Sequence, residues 1–517
     1  FPDRGMMFVS DIDLDKYPMY KSWITGNTPS LTDSKSNVIS AYATVSYNWR
    51  RMIFLNANMR IDGSNNFGDR SNDKILPVWS VSGSFDAAQL DFIRQQTWLD
   101  QLTVKGSYGF QGNMLSSQYP VMIIQKNPMN DYFGEFTSSA VSNPNPDLKW
   151  EKTTSINLGV ILGMFNNRLQ IEGDFYWKHT KDAFMTKSIS TVNGYSSYVV
   201  NGGNIQNNGY SIGITGRPIQ TRDWQWSIST SFSRVTNSVQ TLPAGESYQL
   251  SDFLNGSAIV KGKSVGTFYS YRFIGLNPID GGPMFDDWHD HYADLAGLSK
   301  YDTYTRVLTA TGSREPYMSG SLSTRLRWKR IHASATFAYS LGAKTRLFGM
   351  YGSESESMGG ATINRAGEIW PDKNLSRDYL KRWKQPGDER HTNIPAIIAS
   401  NSPYYSKYIQ HWSVTGSATD MGINMIANDY WDMYDYSDIR VVSGDYIKLS
   451  NISISYELPE RWLAGFGLSR LEVHASGNNL HTWCHKELKG QTPTQGGFTT
   501  IQLSDRPSYS LGVNVSF

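Results

Sequence analysis

Strict alternation of apolar and polar residues is the dominant pattern along the chain. Ile53, Leu55 and Ala57 fall on one face of a strand, and Asn56 and Asn58 fall on the other. A period of two is typical of β-strands with one apolar and one polar face. The same period recurs in residues 102–111, 169–178, 224–233, 318–329, 331–340, 471–476 and 509–517. The pattern therefore predicts an all-β protein.

The alternation fits either a soluble sandwich with its apolar face inward or a membrane barrel with that face outward. The repeating segments are about ten residues long, which suits a bilayer-spanning strand better than a soluble one. Trp177, Trp224, Trp226 and Trp328 cluster toward strand ends, as an interfacial girdle would. Charged residues recur on the polar faces, which suits a water-filled lumen. These features favour a transmembrane antiparallel β-barrel.

The connections alternate between tight turns and long loops. Short turns on one rim and long extracellular loops on the other are typical of outer-membrane barrels. We count about fourteen strands beginning near Val38, within the range of such barrels. The predicted extracellular loops are 111–149, 239–262, 276–316, 344–438 and 484–506.

Composition agrees with a polar but weakly charged membrane barrel. Of 517 residues, 18% are charged and 13% are aromatic, and the 48 basic and 46 acidic residues nearly balance. This balance gives no reason to expect a nucleic-acid partner. A single cysteine, Cys484, excludes a disulfide within the chain. The absence of an apolar run of about 18 residues excludes a transmembrane helix.

The last strand carries a candidate barrel-assembly signal. The chain ends on Phe517, with Gly512 and Val515 spaced before it. A terminal strand of this form looks like the signal that the barrel-insertion machinery reads. The alternative is an ordinary final strand.

Several segments resemble one family of outer-membrane proteins in the right order along nearly the whole chain. The closest match is 145–159 (NPDLKWEKTTSINLG), and 102–113 (LTVKGSYGFQGN) is another. The remaining matches are 60–67, 174–182, 201–213, 382–383 with 392–395, 444–459 and 476–482. They resemble the SusC/RagA family of TonB-dependent outer-membrane transporters from Bacteroidota. Residues 281–300 depart from the pattern of that family.

The resemblance implies a location in the bacterial outer membrane and a barrel of about 22 strands with a plugged lumen. It implies import of an oligomeric nutrient, an oligosaccharide more often than a peptide. The implied partners are a SusD-like surface lipoprotein that forms a lid and the TonB–ExbB–ExbD motor. The chain matches the C-terminal part of the family, without the plug and first strands. We therefore expect that portion of the transporter to complete the barrel.

Two groups of loop aromatics are candidates for contact with substrate or lid. The first comprises Tyr404, Tyr405, Tyr408 and Trp412, and the second comprises Tyr430, Trp431, Tyr434 and Tyr436. Flat rings stack on sugar faces, and Tyr and Trp are enriched in protein interfaces. Packing of the loops against themselves is the third alternative. The lumen-lining candidates are Arg325, Arg327 and Lys329.

Motifs for enzymatic chemistry are absent, so we expect no enzyme and no cofactor. The densest ligand-capable cluster contains Asp286, Asp287, His289 and His291. It is a weak metal candidate, and a solvated loop is the simpler interpretation. The predicted function is energised import across the outer membrane. The alternatives are a stand-alone passive porin and a barrel that serves as a scaffold for surface lipoproteins.

Overall fold

The structure is a computed structural model that carries side chains. The residues it describes are 16, 38–64, 75–113, 122–130, 134–142, 145, 147–188, 197–242, 248–286, 288–351, 377–399, 401–408, 412–413, 427–428, 430–463, 465, 467–488, 493 and 506–517. Within these ranges, no helix is both long enough and apolar enough to cross a lipid bilayer.

One large antiparallel sheet dominates the described residues, and it contains 13 strands. The strands are β1 (Val38–Trp49), β2 (Ile53–Ser64), β3 (Ile75–Asp86), β4 (Leu99–Asn113), β7 (Glu151–Met164), β8 (Leu169–Ser188), β9 (Ser197–Gln220), β10 (Trp224–Thr241), β15 (Met318–Trp328), β16 (Ile331–Leu341), β21 (Tyr446–Glu457), β22 (Arg470–Cys484) and β23 (Ser508–Ser516). They pair in this same order from β1 to β23. The prediction of an all-β antiparallel barrel fold is confirmed, and 13 strands agree with the expected number.

Shorter elements belong to the connections. The remaining strands are β5 (Ile123–Asn130), β6 (Glu135–Ser142), β11 (Thr267–Ser270), β12 (Phe273–Leu276), β13 (Pro283–Phe285), β14 (Thr309–Ser313), β17 (Lys344–Arg346), β18 (Trp412–Ser413), β19 (Ala427–Asn428) and β20 (Val441–Ser443). The α-helices are Asp91–Arg94, Leu250–Asn255, Lys300–Val307, Tyr405–Tyr408, Tyr430–Asp435 and Glu460–Leu463. Short 3-10 helices span Ala87–Gln89, His289–Leu295, Arg377–Lys381, Asp388–Arg390, Asp438–Arg440 and Lys486–Leu488.

The strand register keeps most apolar side chains on one face of the sheet. One register row runs through Val45, Ala57, Val81, Tyr108 and Ile156. Side chains on this face remain exposed because nothing in the described chain covers them. A continuous apolar face of this extent is stable only against lipid or another protein. The face therefore has the form of a barrel exterior.

The opposite face is mainly polar. The row next to the apolar one runs through Ser46, Asn56, Ser82, Ser107 and Asn157. Asn157 Nδ2 donates to Ser107 Oγ over 3.0 Å. Serine pairs continue the pattern on the later strands, at Ser231–Ser321, Ser334–Ser453 and Ser476–Ser510. Small hydrogen-bonding side chains line a water-filled lumen at little cost because they satisfy one another or water.

The two rims of the sheet differ in the length of their connections. Tight turns join β1 to β2, β7 to β8, β9 to β10 and β15 to β16. Trp224 and Trp328 stack at this short-turn rim with ring centroids 5.5 Å apart. Trp177 lies at the middle of β8 rather than at its end, since β8 extends over 20 residues. A strand of that length projects well beyond the bilayer, which about ten residues cross.

Two long connections on the other rim, β10–β15 and β16–β21, fold into one compact unit, which we call the cap. The cap comprises residues 248–286, 288–317, 344–351, 377–399, 401–408 and 430–445. Its core includes Phe253, Leu295 and Met433, each 0% exposed. The β10–β15 connection supplies the first two residues, and the β16–β21 connection supplies the third. The two connections therefore contribute to a single hydrophobic core.

Charge placed on the apolar face will disturb folding far more than charge on the polar face. Val160 and Ile161 are neighbours in β7, and their side chains point to opposite faces. We expect Val160→Lys to cost about 2–4 kcal/mol in a bilayer. Ile161→Lys is the matched control because its side chain points into the polar lumen. The folded fraction in lipid vesicles, measured by trypsin protection, checks this, and equal losses for both variants would contradict the assigned faces.

Removing a buried leucine from the cap will loosen the cap without unfolding the sheet. Leu295 is 0% exposed and Leu380, also in the cap, is 69% exposed. We expect Leu295→Ala to lower cap stability by about 2–5 kcal/mol, as buried truncations do. Leu380→Ala should have little effect. Hydrogen exchange of cap and strand amides measures both, and equal protection of the cap in the two variants would refute a shared core.

Candidate functional site

The predicted loop aromatics meet inside the cap, where several are buried. Tyr408, Trp431 and Tyr434 are only 2%, 5% and 2% exposed. Their rings contact other rings of this chain, as expected when loops pack against themselves. Tyr405, Tyr430 and Tyr436 are half-buried at the edge of the same core. Among the predicted aromatics whose side chains the structure describes, Tyr404 is the most exposed, at 40%.

Three of the buried rings form a continuous stack. Trp431 lies between Tyr351 and Tyr408, with centroid distances of 5.2 Å and 5.7 Å and interplanar angles of 24° and 29°. Tyr430 meets the Tyr408 ring edge-on at 5.0 Å. Offset stacking of this kind adds about 0.5–1.5 kcal/mol per pair beyond burial. The stack joins the helices Tyr405–Tyr408 and Tyr430–Asp435 to the segment before residue 352.

A buried carboxylate anchors this stack to the other loop. Asp280 Oδ1 accepts hydrogen bonds from the Tyr408 hydroxyl over 2.7 Å and from the Gly282 amide over 2.9 Å. Lys407 Nζ donates to Asp280 Oδ2 over 3.1 Å. Burial and the neighbouring Asp280 carboxylate together raise the pKa of Tyr408, so it remains a hydrogen-bond donor. A Cβ at Gly282 would clash with the Tyr408 hydroxyl, which explains a glycine there.

A second buried charge holds the helix Tyr430–Asp435. Asp435 accepts hydrogen bonds from the backbone amides of Met350 and Tyr351, each over 2.8 Å. Burial raises the pKa of the Asp435 carboxyl, while Arg440 and these two amides oppose that rise. Arg346 Nη2 donates to the Tyr269 carbonyl over 2.9 Å, and burial lowers the pKa of Arg346 to about 10. The Asp435 contacts hold the β16–β21 connection together, and the Arg346 contact joins it to the β10–β15 connection.

Sequence reasoning missed the residues that organise the cap. Tyr351, Asp280 and Arg346 lay in predicted loops with no periodic pattern to single them out. The one usable signal was the turn chemistry of Asp280 followed by two glycines. Trp412 has a described backbone in β18, but its side chain lies outside the described part of the structure.

The weak metal candidates do not converge among the described atoms. Asp286 accepts from the Trp288 amide over 3.2 Å and lies 3.7 Å from Arg272 Nη1. His291 Nδ1 lies 3.9 Å from Asp294 Oδ2. Asp287 and the His289 side chain lie outside the described residues. Within the described ranges, no group of three or more ligand-capable residues could hold a metal ion.

The lumen candidates occupy two different positions. Arg325 and Arg327 belong to β15 and share the polar face with Ser227 and His332. Lys329 follows the end of β15 and stands in the turn to β16 with a φ of 52°. It is therefore a rim residue, and its role in lining the lumen stays a prediction.

The candidate assembly signal lies on the last strand of the sheet. Gly512 pairs with His474 and Val515 pairs with Leu471 in β22. Phe517 follows β23 and is 92% exposed. Val515 and Phe517 alternate with polar neighbours on the apolar face. A role in barrel assembly stays a prediction for these three residues.

Comparison with known proteins agrees with the fold and the two faces. A family model described as TonB dependent receptor-like, beta-barrel, matches residues 7–312. TonB-dependent receptor P3 of Formosa agariphila is 24% identical over 471 residues, which are 88% of this chain and 42% of that protein. TonB-dependent receptor SusC of Bacteroides thetaiotaomicron is 25% identical over 221 residues, which are 41% of this chain and 22% of that protein.

A solved structure shares the architecture. The structure of the RagAB peptide transporter matches with a TM-score of 0.72 and 23% identity, over 100% of this chain and 51% of the other. The chain spans less than half the length of the Formosa relatives it matches. The family model covers more than half of the chain, and the 13-stranded sheet has the expected apolar and polar faces. The chain therefore belongs to the TonB dependent receptor-like β-barrel family of outer-membrane proteins.

Proposed function

We propose that this chain forms the C-terminal part of the barrel of an energised outer-membrane importer for an oligomeric nutrient. The observation that carries the proposal is that the matched chain forms a sheet with one apolar and one polar face. The apolar face suits lipid, and the polar face suits a hydrated path for a hydrophilic cargo. An oligosaccharide is the first cargo to test, and a peptide is the second.

The cap supports a role at the extracellular mouth. It rises from the long-loop rim, and its core joins two connections that are distant in sequence. A well-packed surface presents the same contacts each time a cargo or a lid binds. Binding then loses little conformational entropy, because the surface is already ordered. We propose a SusD-like surface lipoprotein as the lid over this mouth. The exposed ring of Tyr404 and the half-buried ring of Tyr405 are its proposed contacts.

The proposed cycle needs partners beyond this chain and no chemical change in the cargo. The N-terminal portion of the same transporter would complete the barrel and supply the plug. The TonB–ExbB–ExbD motor would open the path by pulling on that plug, with energy from the inner-membrane proton gradient. The residues of this chain would bind and guide the cargo, so the proposal includes neither a cofactor nor catalysis.

Uptake of the cargo is expected to depend on the proton gradient. Cells that produce the complete transporter should lose cargo uptake when an uncoupler is added or when TonB is deleted. The measurement is accumulation of a fluorescent oligosaccharide, compared with cells that lack the transporter. Uptake that continues at full rate without energy would support the passive porin instead. Intact lipoprotein partners with no uptake at all would support the scaffold.

Truncation of the exposed cap aromatic is expected to weaken the lid. Tyr404→Ala should lower retention of the lipoprotein about fivefold, since interface aromatics contribute about 1 kcal/mol or more. Trp462→Ala is the control, because Trp462 is also exposed but lies between β21 and β22 at the other rim. Quantitative co-purification in mild detergent measures both. Equal retention by Tyr404→Ala and Trp462→Ala would remove Tyr404 from the interface.

A further inference from the structure

A groove on the polar face of the sheet carries a concentrated positive charge. It lies near the short-turn rim, across strands β9, β10, β15, β16 and β21, with a volume of about 560 Å³. Its basic side chains are Arg217, Arg325, Arg327 and His332. The neutral hydrogen-bonding residues around them are Gln220, Gln225, Ser227, Ser334, Ser453 and Ser455.

The strand register builds this groove. Arg327 is paired with Gln225 on β10 and with His332 on β16, and His332 is paired with Ser455 on β21. Arg325 lies two residues earlier on β15, so it points to the same face. Arg327 Nη2 donates to the Arg222 carbonyl over 3.3 Å, which ties one side of its guanidinium to the backbone. The register therefore sets these groups side by side along the wall.

The arginines of the groove lack the carboxylates that accompany other cations on this face. No Asp or Glu is among the described residues that line it, and its three arginines form no ion pair with a described carboxylate. One carboxylate, Glu472, lies at the edge of the groove, where it interacts with Ser455 and His332. Elsewhere on the face, Lys105 lies 2.9 Å from both Glu172 and Asp174. The other paired cations are Arg60 with Asp62, and Arg470 with Glu457 and Glu472. The groove is thus a local excess of positive charge.

Such a set of donors is suited to carboxylates. A guanidinium group offers several N–H donors in a fixed plane, which match the two oxygens of a carboxylate. Serine hydroxyls and glutamine amides beside it can complete the bonding of hydroxyls or amides on the same ligand. Charges of one sign on a concave, low-dielectric wall also raise the local concentration of the opposite charge.

We infer that this groove is a binding site for carboxylate groups on an acidic oligomeric cargo. The inference rests on the proposed import function and adds a preference for anionic over neutral cargo. Carboxylates on a sugar acid and on an acidic peptide side chain have the same chemistry. The proposal therefore names the carboxylate, and the test separates the two sources.

The test uses the complete purified transporter and two matched pairs of fluorescent probes. One pair is an oligogalacturonate and its methyl ester, and the other is a glutamate-containing peptide and its glutamine counterpart. The variant R325Q/R327Q removes two charges from the groove. The control K178Q removes a charge from the same face of β8, outside the groove. Equilibrium binding is measured at low and at high salt.

We expect the wild type and K178Q to bind the acidic member of one pair more tightly than its neutral partner. R325Q/R327Q should bind that acidic probe about tenfold or more weakly and the neutral probe unchanged, because charge-assisted hydrogen bonds are lost. High salt should weaken binding of the acidic probe to the wild type. The pair that shows the effect identifies the cargo as sugar acid or peptide.

Three results would overturn the inference. If the wild type binds neither acidic probe, or binds acidic and neutral probes equally well, the groove is not a carboxylate-binding site. Equal weakening of both members of a pair by R325Q/R327Q would assign the arginines to holding another part of the transporter. An acidic preference that survives in R325Q/R327Q would place the site elsewhere. Arginine-dependent binding of an acidic probe without energised uptake in cells would support the carboxylate-binding site and reject the import function.

Discussion

The in-register alternation of the 13-stranded sheet is the constraint on which the rest of the structure depends. A shift of one residue between any two strands would move polar side chains into lipid and apolar ones into the lumen. The register rows through Val45 and Ser46 show that the faces stay separate over successive strands. Every proposed role follows from this separation, because it defines a lipid surface, a hydrated wall and two different rims.

The cap shows how loops become a structure when two of them share a core. The β10–β15 and β16–β21 connections both contribute to one core, which includes Phe253, Leu295 and Met433. Buried polar anchors at Asp280 and Asp435 then fix one arrangement, since their hydrogen bonds are satisfied only in that geometry. The cap can therefore act as a rigid platform at the mouth of the barrel.

Much of the sheet could be predicted from sequence, and little of the cap could. A period of two is a local signal, so segments such as 224–233 and 318–329 revealed their faces without knowledge of their partners. The aromatic stack depends on contacts between Tyr351, Tyr408 and Trp431, which no local pattern encodes. Residue type drew attention to Tyr408 and Trp431, but type alone could not distinguish a ring that meets a ligand from one that supports a loop. The basic groove could be predicted in part. The alternation of residues places Arg325 and Arg327 on the polar face, but only the three-dimensional structure shows that no described carboxylate pairs with them.

The central claim is that this chain works as one part of an energised importer with a lid. The most direct measurement is mass spectrometry of every polypeptide that co-purifies with it from the outer membrane in mild detergent. We expect plug-bearing sequence, either in the same polypeptide or in a tightly held second one, together with a surface lipoprotein. A closed barrel that contains only the 517 residues of this chain, with neither plug nor lipoprotein, would contradict it.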